Sequence, residues 1–270
     1  MKSQLDIINY VQETPLNTNS SVLTALLSDL SPLTELDKFT YLIDCKNLNY
    51  AAAYEYFIKN NPSIGGGCSC MVIDGKVGRN FDWNYTNQPI FIVKVPAQNG
   101  KYSSIGVANI NNTSIYNPNE WSVSDVYNLI PFFTTDGINE KGLFCGTLVV
   151  PNDYGNNISI PTLEKRDSIN GIMLVRYILD NFDSVSAAVD YITKYVEIWF
   201  SKFLHDINYE QHYILADKDT SVCLEIINNQ IVITEAAAAT NFYLSGVTFN
   251  DDGSVYTPAS DGDPMEDNGI

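Results

Sequence analysis

The chain has 270 residues, 45% of them hydrophobic, with 32 acidic against 15 basic side chains and a formal charge of −17. That length holds one large domain or two small ones, and the acidic balance argues against nucleic acid as a partner, since such binding depends on Lys and Arg neutralising phosphates. No apolar run approaches the roughly 20 residues of a membrane span, the start lacks a signal peptide's uninterrupted apolar core, and five cysteines here do not make a disulfide framework, so a cytoplasmic protein is expected.

Residues 3–62 read as helical. Ser20 and Ser21 can cap a run that is apolar at Val22, Leu23, Leu26, Leu27 and Leu30. A second segment, from about Leu33 to Ile43, follows Pro32, and a third, Ala51 to Ile58, ends before Pro62. The glycines Gly65, Gly66 and Gly67 then lead abruptly into strand character. Residues 1–67 are thus expected to form a helical leader, either a propeptide or a small subunit. Residues 68–249 form the body, and 250–270 an acidic tail rich in Gly and Pro, disordered or truncated.

The body opens with a hairpin. Asp74-Gly75 between two apolar runs fits a type I′ turn, which needs φ > 0 at both central residues. Counting outward pairs Ile73 with Lys76, Cys70 with Arg79 and Cys68 with Phe81. Cys68, Cys70 and Arg79 then share one face, with the Cys68–Arg79 diagonal about 7–8 Å at the backbone. A guanidinium beside a thiol favours the thiolate.

Strands are expected at Ile90–Val95 and Tyr102–Ala108, and an Asn-rich loop over 110–121. Pro131–Thr135 and Leu143–Val150 read as strands joined by the connection Asp136 to Gly142. A helix over Ser168–Asn181 carries Ile169, Ile172, Met173, Val175, Ile178 and Leu179 as its apolar stripe. Asp183 and Ser184 can cap another near Val185–Tyr195. Three strands follow, Tyr213–Asp217, Ser221–Ile227 and Gln230–Glu235, and a last one, Thr240–Leu244, has Asn241 just inside it. Strands, two helices and strands again imply an α+β body of two antiparallel sheets with helices outside, a layered αββα sandwich.

A nucleophilic cysteine needs a base. His205 and His212 are the two histidines, and either could meet a cysteine in space. A second route needs neither. Cleavage before Cys68 would free an α-amino group on the nucleophile's own residue, with an unperturbed pKa of about 7.7–8.0. Gly65 to Gly67 suit that route, because no Cβ blocks attack of the Cys68 thiol on the Gly67 carbonyl. Cys70 is the rival nucleophile. It faces Arg79 more directly, but Ser69 rather than glycine precedes it. A Cys-x-Cys metal site lacks a nearby second pair for four-coordinate zinc, so no metal or cofactor is expected. Cys45, Cys145 and Cys223 lie in apolar patterns and read as small buried hydrophobes.

The stretches Gly67-Cys68-Ser69 and Gly78-Arg79-Asn80-Phe81-Asp82-Trp83 resemble the choloylglycine hydrolase and acyltransferase group of N-terminal-nucleophile (Ntn) hydrolases. That group includes bile salt hydrolases, penicillin V acylase, the penicillin acyltransferase and the acid ceramidase type. Asp136 to Leu143, His212 to Asp217 and Thr240-Asn241 resemble further family elements in the same order, over about Gly65 to Leu244. The resemblance implies Cys68 as nucleophile with its freed amine as base, Arg79 assisting the thiolate and holding substrate, and Trp83 beside the substrate. It implies Asp82 orienting the amine and Asn241, with a backbone N–H, forming the oxyanion hole. Strict alternation puts Asp82 on the face opposite Arg79, so that role needs a bulge after Arg79.

The sequence departs from the family in a shorter Cys68–Arg79 span and in Val149, where bile salt hydrolases carry asparagine. The leader is similar to that of the acyltransferase and ceramidase branches, which remove it themselves between residues matching Gly67 and Cys68. The family's later arginine has no counterpart after Arg176. The expectation is a cysteine amidase acting on a linear amide of a small N-acyl substrate, its oligomeric state open. The alternative is a truncated or unprocessed, catalytically silent domain of the same fold.

Overall fold

A computed structural model of the chain describes residues 9–10, 39–44, 48–53, 67–82, 90–109, 128–151, 165, 167–200, 209–245, 248–249 and 255–256. The strands are β1 (Asn9–Tyr10), β2 (Phe39–Asp44), β3 (Gly67–Ile73), β4 (Lys76–Asp82), β5 (Ile90–Val95), β6 (Ser104–Asn109), β7 (Thr134–Asn139), β8 (Phe144–Pro151) and β9 (Asp167–Asn170). Two helices follow, α1 (Leu174–Asn181) and α2 (Val185–Tyr195). Then come β10 (Val196–Trp199), β11 (Tyr209–Ala216), β12 (Ser221–Ile227), β13 (Gln230–Glu235), β14 (Ala238–Ala239), β15 (Thr248–Phe249) and β16 (Val255–Tyr256).

Nine strands make one sheet in the order β1-β2-β5-β6-β7-β8-β11-β12-β13, and three make a second in the order β14-β3-β4. Alternation along β8 and β11 decides what each face of the large sheet meets. Phe144, Leu148, Ile214 and Ala216 pack with Cys68, Cys70 and Ala239 of the small sheet. Cys145, Tyr213 and Leu215 point the other way, into a core shared with Val175, Ile178 and Leu179 of α1. Among the described residues, helices, large sheet and small sheet thus stack as three layers of an α+β sandwich; a second outer helical layer of the expected αββα order is not among them. Gly106 and Gly137 face each other across β6 and β7. A Cβ on Gly137 would lie 2.8 Å from a Leu179 methyl carbon, so α1 can press onto the sheet only over bare backbone.

Several expected elements change. Phe39–Asp44, read as the end of a helix, is a strand parallel to β5; the other pairs of the large sheet are antiparallel. Ile130–Phe133 is a 3₁₀ turn, and β7 runs on through Asp136, Gly137 and Ile138, which had read as a connection. The expected helix start at Ser168 is strand β9, paired in parallel with β10, and α1 begins only at Leu174. Thr240–Leu244 is not a strand; the small sheet ends at Ala239, and Asn241 sits on irregular backbone. The leader helix around Ser20 to Leu30, the 110–121 loop and most of the tail lie outside the described residues, as does Cys45; residues 50–53 are helical.

Candidate active site

The β3–β4 hairpin closes on Asp74 (φ 49°) and Gly75 (φ 68°), the two left-handed residues a type I′ turn requires. Its register pairs Ile73 with Lys76, Cys70 with Arg79 and Cys68 with Phe81. The pairing continues unbroken to Gly67–Asp82, so no bulge follows Arg79 and the backbone does not supply the turn that the Asp82 role needs. The Asp82 side chain, Trp83 and His205 lie outside the described residues.

The expected diagonal is closed by the arginine. Arg79 Nη2 lies 3.3 Å from Cys68 Sγ and also donates to the Thr147 carbonyl at 2.6 Å. Its Nη1 donates to the Ser69 carbonyl at 3.3 Å and to that of Asn80. Nε stands 3.9 Å from Asp136 Oδ2, and the guanidinium lies 5.4 Å from the Phe81 ring centre. One cation therefore bridges the small sheet and β8 while its outer nitrogen faces the sulfur. The Arg79 side chain is only 8% exposed, so this charge is poorly screened. Burial pushes the Asp136 carboxyl up, with Arg79 and a hydrogen bond from Thr135 opposing it.

Asn241 makes a second bridge. Its Oδ1 accepts from the Cys68 backbone N–H at 2.5 Å, and its Nδ2 donates to the Val149 carbonyl at 2.6 Å. The amide therefore grips the backbone nitrogen of Cys68, and Nδ2 carries a second N–H. Cys68, Arg79 and Asn241 meet, although 173 positions separate the first and the last.

Cys70 is buried on the same face, and burial pushes its thiol up to about 11, outweighing the nearby Arg79. His212 does not serve either thiol in this arrangement. It is fully buried, with Nε2 2.8 Å from the Thr240 carbonyl and Nδ1 3.3 Å from Glu225 Oε1 and 3.4 Å from Cys223 Sγ. Burial raises Glu225, but hydrogen bonds from His212, Leu244 N–H and Ser245 N–H hold its carboxyl below 4.5. His212, Cys223 and Glu225 bring their donor atoms within 4.8 Å of one another. They could hold a cation only by giving up these bonds.

Asp136 and the Thr147 and Val149 carbonyls were not singled out from the sequence for a role. An acid inside an apolar stretch was the one available signal; the carbonyls left none. A cleft of about 710 Å³ opens at the turn end of the hairpin, between Val72, Val77, Ile105 and Phe144, with Lys76 and Lys218 at its rim. It reaches Asp136, and Cys68 does not line it.

Residues 71–242 match the family model described as linear amide C–N hydrolases, choloylglycine hydrolase family. No curated protein sequence matches the chain. Among solved structures, two variants of the conjugated bile acid hydrolase from Clostridium perfringens are similar. One is 20% identical (TM-score 0.45) over 64% of this chain and 53% of its own, the other 22% identical (TM-score 0.44) over 65% and 53%. Penicillin V acylase from Agrobacterium tumefaciens is 16% identical (TM-score 0.37) over 69% of this chain and 48% of its own. The chain spans about half the length of these structures. Among the described residues no helix is long and apolar enough to cross a membrane.

Proposed function

The chain belongs to the choloylglycine hydrolase family of linear amide C–N hydrolases, and on that premise we propose that it is a cysteine amidase with Cys68 as nucleophile, acting on a small N-acyl substrate after cutting its own chain between Gly67 and Cys68. The observation that carries this reading is the pair of bonds on one residue: Arg79 Nη2 at 3.3 Å from the Cys68 sulfur and Asn241 Oδ1 at 2.5 Å from the Cys68 nitrogen.

In the first step the Cys68 sulfur attacks the Gly67 carbonyl carbon. The C–N bond breaks, a C–S thioester forms, and the nitrogen leaves as the Cys68 α-amine. Water then hydrolyses the thioester, leaving a carboxylate on Gly67 and a free thiol. The new amine still has an N–H for Asn241 Oδ1, which orients its lone pair to take the thiol proton. In turnover the thiolate attacks the substrate amide carbon, and the tetrahedral oxyanion accepts the second Asn241 N–H. A donor of that kind is worth on the order of 3 kcal/mol. The Cys68 ammonium protonates the departing amine, and water clears the acyl thioester. Cys68 is preferred over Cys70 because the Cys70 thiol, raised to about 11, is scarcely ionised at neutral pH.

Intact mass after expression tests the reading. A species beginning at Cys68, absent from Cys68→Ala, is the expected result, together with amidase activity against one member of a panel of penicillin V, N-acyl amino acids and conjugated bile acids. A full-length wild-type chain indistinguishable from Cys68→Ala, inactive on the whole panel, favours the silent domain instead.

A further inference from the structure

Asn241 sits between the two sheets on backbone that belongs to neither. Strand β14 ends two residues before it, and residues 240–245 make no ladder. Three bonds nevertheless hold this segment on both sides of Asn241. The Thr240 carbonyl can only accept, so His212 Nε2 carries a proton and donates to it at 2.8 Å. After Asn241, Leu244 N–H donates to Glu225 Oε1 at 2.5 Å and Ser245 N–H donates to Oε2 at 2.8 Å. Glu225 and His212 are both fully buried and stand on adjacent strands, one register step beyond the Tyr213–Leu224 pair, 3.3 Å apart.

Burying a carboxylate and an imidazole between two sheets is expensive unless every partner is supplied. Leu148, Ile214 and Ala216 contribute hydrocarbon to the same intersheet layer. What the polar pair supplies is backbone contacts flanking Asn241.

We propose that His212 and Glu225 are positioning residues of the active site: together they strap the 240–245 segment so that the Asn241 amide stays on the Cys68 nitrogen. This rests on the amidase reading for its kinetic consequence but not for its structural one. Misplacing a catalytic group by about 1 Å costs on the order of 100-fold in rate. Substrate need not touch the strap, so the loss falls on kcat rather than KM.

The test compares Glu225→Gln, Glu225→Ala and His212→Gln with wild type by hydrogen–deuterium exchange and by kinetics. The expected result is faster exchange at 240–245, with strands β8 and β11 protected as in wild type. In the same variants kcat falls about 10- to 100-fold at a KM within about twofold. Glu225→Gln, which keeps one acceptor oxygen, is expected to recover part of what Glu225→Ala loses. Unchanged exchange at 240–245 in folded variants, or exchange rising uniformly through β8, β11 and β12, would overturn the strap. A wild type that neither processes itself nor hydrolyses any amide would sink the amidase reading, while the exchange comparison still decides the strap.

Discussion

Cys68 and Cys70 lie two residues apart on one face of one strand, and Arg79 stands beside both. Both are buried in one cluster with Leu148 and Ile214, Cys68 7% and Cys70 3% exposed. At Cys70 burial outweighs the cation and raises the thiol to about 11. Cys68 is contacted by a guanidinium nitrogen directly. The sign follows: a thiol with a raised pKa stays protonated until pH approaches that value, so Cys70 remains unreactive through the neutral range. Alkylation by a small haloacetamide at pH 7.5, followed by peptide mapping, is therefore expected to modify Cys68 and spare Cys70. In Arg79→Gln the Cys68 rate is expected to fall, because the guanidinium nitrogen 3.3 Å from the sulfur is gone. Preferential labelling of Cys70 in the native protein would reverse the assignment.

The β7–β8 turn shows how an element positions a site it does not touch. Asn139 is 5% exposed and uses its amide four times: Nδ2 donates to the Leu179 and Phe182 carbonyls at the end of α1, and Oδ1 accepts from Lys141 N–H and Leu143 N–H. The stretch Asn139 to Gly142 is thereby a joint that locks α1 to the hairpin bearing Asp136 and Thr147. Asn139→Ala orphans these groups and is expected to cost about 2–4 kcal/mol in urea denaturation, whereas an exposed change such as Lys141→Ala stays within about 0.5 kcal/mol. At the other helix, Asp217 accepts Val185 N–H at 2.7 Å at the start of α2. Partial burial raises Asp217, but this bond and those from Asp219 and Thr220 hold its carboxyl below 3.8. A folded-state pKa depressed in this way stabilises above the ordinary carboxylate value, and the contribution disappears as pH falls through the folded one. Asp217→Asn is expected to flatten the acid limb of stability in that window, read as melting temperature against pH. The same elements show where the sequence was readable. The hairpin register was readable because a two-residue turn fixes every pair beyond it. Ile90–Val95, Val185–Tyr195, Ser221–Ile227 and Gln230–Glu235 were readable because their pattern and punctuation agree. Phe39–Asp44 was misread because a short run with Phe39, Tyr41, Leu42 and Ile43 as its apolar members fits either period, and its strand identity comes from β5, about fifty residues away. Asp136 to Ile138 was misread because Gly137 looks like a turn residue, whereas it is glycine for the approach of α1. His212 and Glu225 could not have been paired from sequence, since only the β11–β12 register makes them neighbours.

At the scale of the whole molecule, the described residues ahead of Cys68 pack on the body that follows it. Strand β2 runs parallel to β5 over Thr40–Ile90 to Asp44–Lys94, and Ala53 is fully buried in the main core. Tyr50 lies edge-on to Phe132 at 4.9 Å, beneath Lys101 at 4.5 Å, and its hydroxyl donates to Asp180 Oδ2 at 2.5 Å. Asp180 is fully buried and paired at 2.5 Å with the equally buried Arg176, which itself donates to Ser104. Losing residues 1–67 would therefore do three costly things together. It would bare the β5 edge, empty the Ala53 site, and leave a buried carboxylate without its hydroxyl donor, a loss of about 1–3 kcal/mol for that group alone. The chain connection at Gly67 adds none of these contacts, so breaking it does not remove them. If the protein cuts itself before Cys68, the two fragments are expected to co-elute in native size exclusion at the mass of the full chain and to separate only in denaturant. Tyr50→Ala should weaken the pair, releasing the leader at a lower urea concentration than in the processed wild type, while leaving the cut itself intact. Free elution of a well-folded 68–270 fragment from native buffer would show that the leader is discarded, and β2 would then be a strand of the precursor alone.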